Sequence, residues 1–342
     1  MNFDSSYTVN TLIELCNTPS VTGDTTSIQQ KIKEEIKSMD VPVTENNKGG
    51  IIATISGRAE SSILVSAHVD TLGAMVKGIK GNGRLTVSPI GSFDFNSIET
   101  ENCVIHSAES DFNGSFVTTK GSVHIHGGET AKQSRDKDTL EIRLDEDVSS
   151  KEDTENLGIS VGDFVSFDPR VIKTSNGYIK SRHLDDKAGV AIILQTIKSI
   201  KERNITPKKT IKFFISNYEE VGHGCSHIPE NTEELIAIDM GVVGEGQQGN
   251  EHSVSICAKD SSGPYDLQMR RSFVQICKEN NIPHKIDIFP YYGSDASAAL
   301  RAGNNIRAGL IGPGVDNSHS YERTHLDALK ATFELLFQYL TT

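Results

Sequence analysis

Between about Thr71 and Tyr178 the chain leaves one pattern and afterwards resumes it, and that interruption restricts the folds open to it. The interrupting stretch consists of short segments rich in Val, Ile, Thr and Phe, divided by Gly-Asn-Gly, Asn-Gly and Gly-Gly and almost devoid of helical periodicity. Residues of that kind suit a pleated, half-buried surface, and glycine-bearing turns reverse the chain tightly between strands. The expectation is a separate all-β module, a small barrel or sandwich. On both sides of it, apolar strands alternate with amphipathic helices, the sequence form of an α/β domain. An α/β domain at residues 1–71 and 178–342, interrupted by a β domain at 72–177, is therefore predicted.

Within the α/β part, residues 8–17 and 24–39 read as two helices separated by a turn running from Thr18 to Asp24. Ile28, Ile32, Ile36 and Met39 share one stripe and should dock on a core. A strand is predicted at Gly50–Ile55. A second, Ser62–Ala67, has so few polar breaks that both its faces should be covered, and His68 and Asp70 stand at its carboxyl end. Past Tyr178, a helix from near Asp186 carries Val190, Ile193, Leu194, Ile197 and Ile200, and strands follow at Thr210–Ser216 and Leu235–Ile238. A helix near 264–280, a strand near 285–289, a helix near 295–302 and a strand near 306–311 precede a final amphipathic helix bearing Leu326, Leu329, Phe333, Leu336 and Leu340.

Lys and Arg number 34 against 46 Asp and Glu, a net charge of −12, which argues against a general nucleic-acid binder and against binding to an anionic membrane. Cys16, Cys103, Cys225, Cys257 and Cys277 are scattered and odd in number, without C-x-x-C spacing. A disulfide framework or structural zinc site is not expected, and a reducing cytoplasm fits best. The first residues lack the basic-then-apolar pattern of an export signal, and no apolar run approaches the roughly 20 residues that span a bilayer. The acidic stretch from Asp136 to Glu155 reads as a solvated loop or exposed strand edge. His124 and His126 would share one face of a strand, without a third ligand nearby.

Acidic or imidazole groups recur where apolar strands stop: His68 with Asp70, Glu219 with Glu220, and Asp239. Ligands of open α/β sheets bind beyond the carboxyl ends of the strands, so these groups can meet in one crevice. Asp185, at a helix entrance, and His319, in a late loop, complete a set of imidazole and carboxylate ligands suited to zinc, cobalt or manganese. Asp185 and Asp186 would each also be explained as a helix cap. Glu219 and Glu220 would face opposite ways in a strand, but Val221-Gly222-His223-Gly224 suggests the strand has ended, so both can point into the crevice. One could then hold metal while the other moves a proton.

In this order, Ala67-His68-Val69-Asp70, Leu184-Asp185-Asp186-Lys187, Tyr218-Glu219-Glu220-Val221-Gly222, Ile238-Asp239-Met240 and His319-Ser320-Tyr321-Glu322 resemble the M42 family of dinuclear metallo-aminopeptidases, over nearly the whole chain and including the β insertion. The resemblance implies a three-layer, zinc-peptidase-like α/β sandwich with a mixed sheet and a small barrel-like domain used in assembly, commonly into dodecamers. It implies metal ligation by His68, bridging Asp185, Glu220, Asp239 and His319, with Glu219 as general base and Asp70 orienting His68. Ser294 and Asp295, in Tyr291-Tyr292-Gly293-Ser294-Asp295-Ala296, resemble a substrate-side loop. His183, Lys187 and His223 depart from the residues common at those places.

The implied reaction removes an N-terminal residue from a short peptide with a free amine. A hydroxide bridging two divalent ions, zinc or cobalt with manganese as a further choice, attacks the scissile carbonyl while Glu219 carries the proton to the leaving amine. Self-association into a dodecamer or smaller homo-oligomer is expected, with neither nucleic acid nor membrane as partner. Two rivals use the same residues differently: a deacylase or dipeptidase of the related clan, and a peptide-binding or assembly protein that kept the fold without catalysis.

Overall fold

The computed structural model describes residues 3–342, which divide into two compact units: the chain up to Asp70 together with Arg170–Thr342, and Thr71–Pro169. The first unit carries, among the described residues, a thirteen-stranded mixed sheet. Its centre is three parallel neighbours, Lys209–Ser216, Ala59–His68 and Thr232–Ile238, with Arg307–Asp316 parallel beyond them. Ile51–Ile55 runs antiparallel on the other side.

Side chains alternate across a strand, and here successive residues enter different cores. Ile63, Val65 and Ala67 face one apolar layer with Ile211, Phe213, Ile215, Ile236 and Ile238, while Leu64, Phe214, Leu235 and Ala237 face another. Both faces are covered, which is why Ser62–Ala67 lacks polar breaks. The first layer is closed by the helices Ser5–Cys16, Thr26–Ser38, Leu184–Glu202 and Leu326–Thr341, and the second by Asp295–Arg301. Leu184–Glu202 is buried nearly all round, as a helix apolar on every side must be. Truncating one of its buried isoleucines to Ala would cost about 2–5 kcal/mol.

The second unit is a closed barrel of Gly73–Ile79, Leu85–Ile90, Leu140–Leu144, Asp111–Thr118, Asn102–His106 and Phe164–Phe167, neighbours in that order and all antiparallel. Val76, Val87, Ile105, Phe116, Ile142 and Val165 are buried in its core. It ends at Pro169; Ile172–Lys173 and Tyr178–Ser181 form a hairpin that joins the large sheet through Glu322–His325.

One local expectation fails and another holds only in part. His124 and His126 lie in one helical turn, Val123–His126, and not on a strand. Val123 and Ile125 are exposed, so no core face stabilises an extended form, and bonds such as His126 N–H to the Ser122 carbonyl (2.9 Å) satisfy the backbone locally. The acidic stretch Asp136–Glu155 is the expected loop only in part: mostly exposed turns and bends flank the barrel strand Leu140–Leu144, whose Leu140, Ile142 and Leu144 are buried. Its charges alternate with those apolar residues, and even Glu141 is buried, accepting from Lys80 Nζ and Arg84 Nη1, both at 2.5 Å.

Candidate metal centre

The three central parallel strands end almost level. His68 pairs with Ser216, and Ala237 pairs with Ser66, so the residues just beyond these strands emerge side by side. His68 closes its strand, Asp239 follows Ile238 directly, and Glu219 and Glu220 occupy a turn closed by Gly222 N–H on the Glu219 carbonyl at 2.6 Å. The sheet has indeed ended there, and both glutamates line one cavity of about 580 Å³ with Asp185, Asp239, Ser294 and His319.

A fourth element supplies the centre of the cluster. Asp185 and Asp186 have non-helical backbone angles, and the regular helix begins after them. Asp186 caps it, its Oδ1 accepting from Gly189 N–H at 3.1 Å while Oδ2 accepts from His68 N–H at 3.2 Å. A Cβ on residue 189 would fall 2.4 Å from that oxygen, so the cap requires glycine. Asp185 is thereby left free to face the cavity.

Asp185 turns its two oxygens to different imidazoles: Oδ1 is 3.1 Å from His68 Nε2 and Oδ2 is 3.4 Å from His319 Nε2. Glu220 Oε2 is 3.8 Å from His319 Nε2, and Glu219 Oε2 is 3.8 Å from His68 Nε2. Ligand atoms of His68, Asp185 and Glu220 lie within 4.8 Å of one another. The far nitrogen of His68, Nδ1, meets the Asp70 carbonyl at 2.9 Å, whereas the Asp70 carboxylate is 3.7 Å away. Asp70 therefore orients His68 through its main chain. Its carboxylate instead accepts from Thr22 Oγ1 (2.6 Å) and from the backbone N–H groups of Glu219 (3.2 Å) and Glu220 (3.3 Å).

The charges are strained in one direction. Burial, joined by repulsion from Asp185, pushes Asp239 up to about 7 and Glu220 and Glu322 up to about 8. Burial likewise raises Glu219 well above the usual carboxylate range, with Asp239, Asp295 and Glu220 adding to it. For Asp185 burial acts upward too, but hydrogen bonds to His319 and His68 outweigh it and hold the carboxyl low. His68 is the counterpart: burial alone would lower it, and Asp185, Glu219 and Asp70 together raise it. Crowded, buried carboxylates around two imidazoles call for added positive charge, and nitrogen and oxygen donors without thiolate suit borderline divalent ions.

Ser294 lies on the cavity wall and Asp295 is not among its lining residues. The Asp295 carboxylate accepts from Ser216 Oγ at 2.5 Å and Cys225 N–H at 2.9 Å, so it reaches the site only through its field. Glu322 was given no role by its sequence. It is buried, with Oε2 accepting from Asp185 N–H (3.0 Å) and Oε1 from His319 N–H (3.2 Å). His319 sits at φ 63°, a left-handed conformation that this bond helps hold. Lys187 is buried as well; its Nζ donates to the Thr18 carbonyl at 2.8 Å, and burial pulls its pKa down to about 8.

The chain's sequence relatives place it among the peptide hydrolases. The family model described as M42 glutamyl aminopeptidase matches residues 49–335, and the chain belongs to that family. YhfE of Bacillus subtilis (strain 168), provisionally named an aminopeptidase, is 50% identical over 336 residues, covering 97% of each chain. Among solved structures, the TET aminopeptidase of Thaumarchaeota archaeon SCGC AB-539-E09 superposes with a TM-score of 0.89 at 17% identity, over 98% of this chain and 96% of its own. PhTET1-12s, described as a dodecamer, gives 0.85 at 23% identity, over 97% and 98%. These likenesses are of fold. Among the described residues no helix is long and apolar enough to cross a membrane.

Proposed function

We propose that the chain removes N-terminal residues from short peptides at a centre of two divalent cations, zinc or cobalt with manganese also accommodated. His68, Asp185, Glu220, Asp239 and His319 would hold them, with Asp185 bridging. The observation that carries this reading is the division of Asp185, one oxygen toward His68 and the other toward His319. Bound there, such ions polarise a carbonyl and acidify water.

The remaining work falls to the protein's own groups. Glu219 lines the cavity, is buried, and is pushed toward the protonatable range by that burial and its acidic neighbours. It is the group to take a proton from the attacking water and return it to the departing amine. Asp70 fixes the turn carrying Glu219 and Glu220. Ser294 borders the substrate, while Asp295 acts from behind the wall. A free substrate amine would meet the surplus of carboxylates as an ammonium ion.

The inserted barrel would serve self-association, into a dodecamer or a smaller homo-oligomer; the dodecameric description of PhTET1-12s supports this. All five cysteines are buried free thiols, in keeping with a reducing cytoplasm. The test is a panel of aminoacyl anilides and their N-acetylated counterparts, run before and after chelation and with zinc or cobalt restored. Cleavage confined to free-amine substrates and dependent on metal is expected. Cleavage of the acetylated set alone would favour a deacylase, and no cleavage of either set would favour a binding protein.

A further inference from the structure

A second convergence of ligand atoms lies in a different cavity, one of about 700 Å³ that His252 and Asp327 help to line. His252 precedes the strand Val254–Asp260, His325 ends Glu322–His325, and Asp327 lies in the first turn of Leu326–Thr341. Asp327 Oδ2 is 3.0 Å from His252 Nδ1 and 3.2 Å from His325 Nδ1, and the two rings are 4.3 Å apart. Neighbouring ligands about 2.0–2.1 Å from a tetrahedral zinc stand about 3.3 Å apart, so these spacings are those of groups sharing one small cation.

The imidazoles are also arranged to present lone pairs. His325 Nε2 lies 2.9 Å from the Asn176 carbonyl, which can only accept, so Nε2 carries the proton and Nδ1 is left as a base facing Asp327. A backbone carbonyl holding the remote N–H is the usual support of a metal-binding histidine. The ring is fitted against bare backbone: a Cβ on Gly177 (φ +91°) would lie 2.6 Å from His325 Nε2. His252 Nε2 has the Tyr178 hydroxyl at 3.3 Å, whose oxygen can accept from Nε2–H and so leave the lone pair on Nδ1. The Nδ1 of His325 already accepts from Asp327 N–H at 3.1 Å, and this cap bond is what a cation would displace.

We propose that His252, His325 and Asp327 form a separate site for one divalent transition-metal ion, zinc or a neighbour of it, with its remaining positions filled by water from the cavity. Such an ion would tie the start of the last helix to the segment before Val254–Asp260. This proposal is independent of the two-cation centre, whose ligands it does not share.

The full-length protein, equilibrated with zinc chloride and desalted, would be assayed for bound metal, and crystals of the same sample would be examined at the zinc absorption edge. An anomalous peak within about 2.0–2.2 Å of all three side chains is expected. The wild type should also hold one zinc per chain more than His252→Gln or Asp327→Asn. Two variants from different elements guard against one of them misfolding. No peak at this position while peaks appear at the Asp185 crevice, or equal metal content in wild type and both folded variants, would reduce the cluster to a hydrogen-bonded helix cap. Zinc lost only from the Asp185 crevice would fault the two-cation reading and leave this one standing.

Discussion

Asp70 holds Glu219 by the main chain and not by the side chain: Asp70 Oδ1 accepts from Glu219 N–H at 3.2 Å, and its other oxygen takes the neighbouring Glu220 N–H at 3.3 Å. One carboxylate thus fixes the turn that presents both glutamates. In Asp70→Asn one of those acceptors becomes an amide N–H₂ facing a donor. Supporting groups of this kind typically matter 10–100-fold, so kcat should fall by about that factor while bound metal is retained. Steady-state kinetics with metal analysis checks this.

Glu322 plays the corresponding part on the other side, joining the Asp185 and His319 backbones. Glu322→Gln keeps the shape and leaves one N–H opposite an amide N–H₂. Metal affinity should weaken by about 10–100-fold, with the protein still folded. Competition against a chromophoric chelator measures it; unchanged affinity would assign Glu322 a purely structural part.

These two residues also mark how far the sequence could be read. Apolar periodicity brings the strand-end groups His68, Glu219, Glu220 and Asp239 toward one crevice, while the places of Asp185, at a helix entrance, and His319, in a loop, are implied by the family resemblance. Glu322 begins a four-residue strand, Glu-Arg-Thr-His, with no alternation to signal it, and its partners are 137 and 3 residues away. That the carboxylate of Asp70 serves the Glu219 turn and not His68 depends on side-chain direction, which spacing does not encode. In the barrel, Leu140–Leu144 does alternate apolar and charged residues, but the acidic composition on either side outweighs so short a signal, and the Lys80 and Arg84 that compensate Glu141 come from a hairpin some 60 residues earlier.

Glu141 gives the barrel an acid-sensitive element. Burial would raise its carboxyl, but the hydrogen bonds from Lys80 and Arg84 win and hold it below the usual 4.5. A carboxyl lowered in the folded state stabilises fully above its unfolded pKa and loses that contribution as pH falls through the folded value. Both cations are partly exposed, so Glu141→Gln should cost about 1–2 kcal/mol at neutral pH. The difference from wild type should shrink as the pH drops below about 4.5. Denaturant melts at a series of pH values test this, and a constant difference would contradict it.

The most direct measurement concerns Glu219. In Glu219→Gln the side chain keeps its volume but can no longer take up the proton, while the five proposed ligands are untouched. Turnover of an aminoacyl anilide and bound metal should be measured on the same sample. The account predicts a loss in kcat of about 10²–10⁴-fold with as many divalent ions bound per chain as in the wild type. Near-normal turnover by the metal-loaded variant would contradict it.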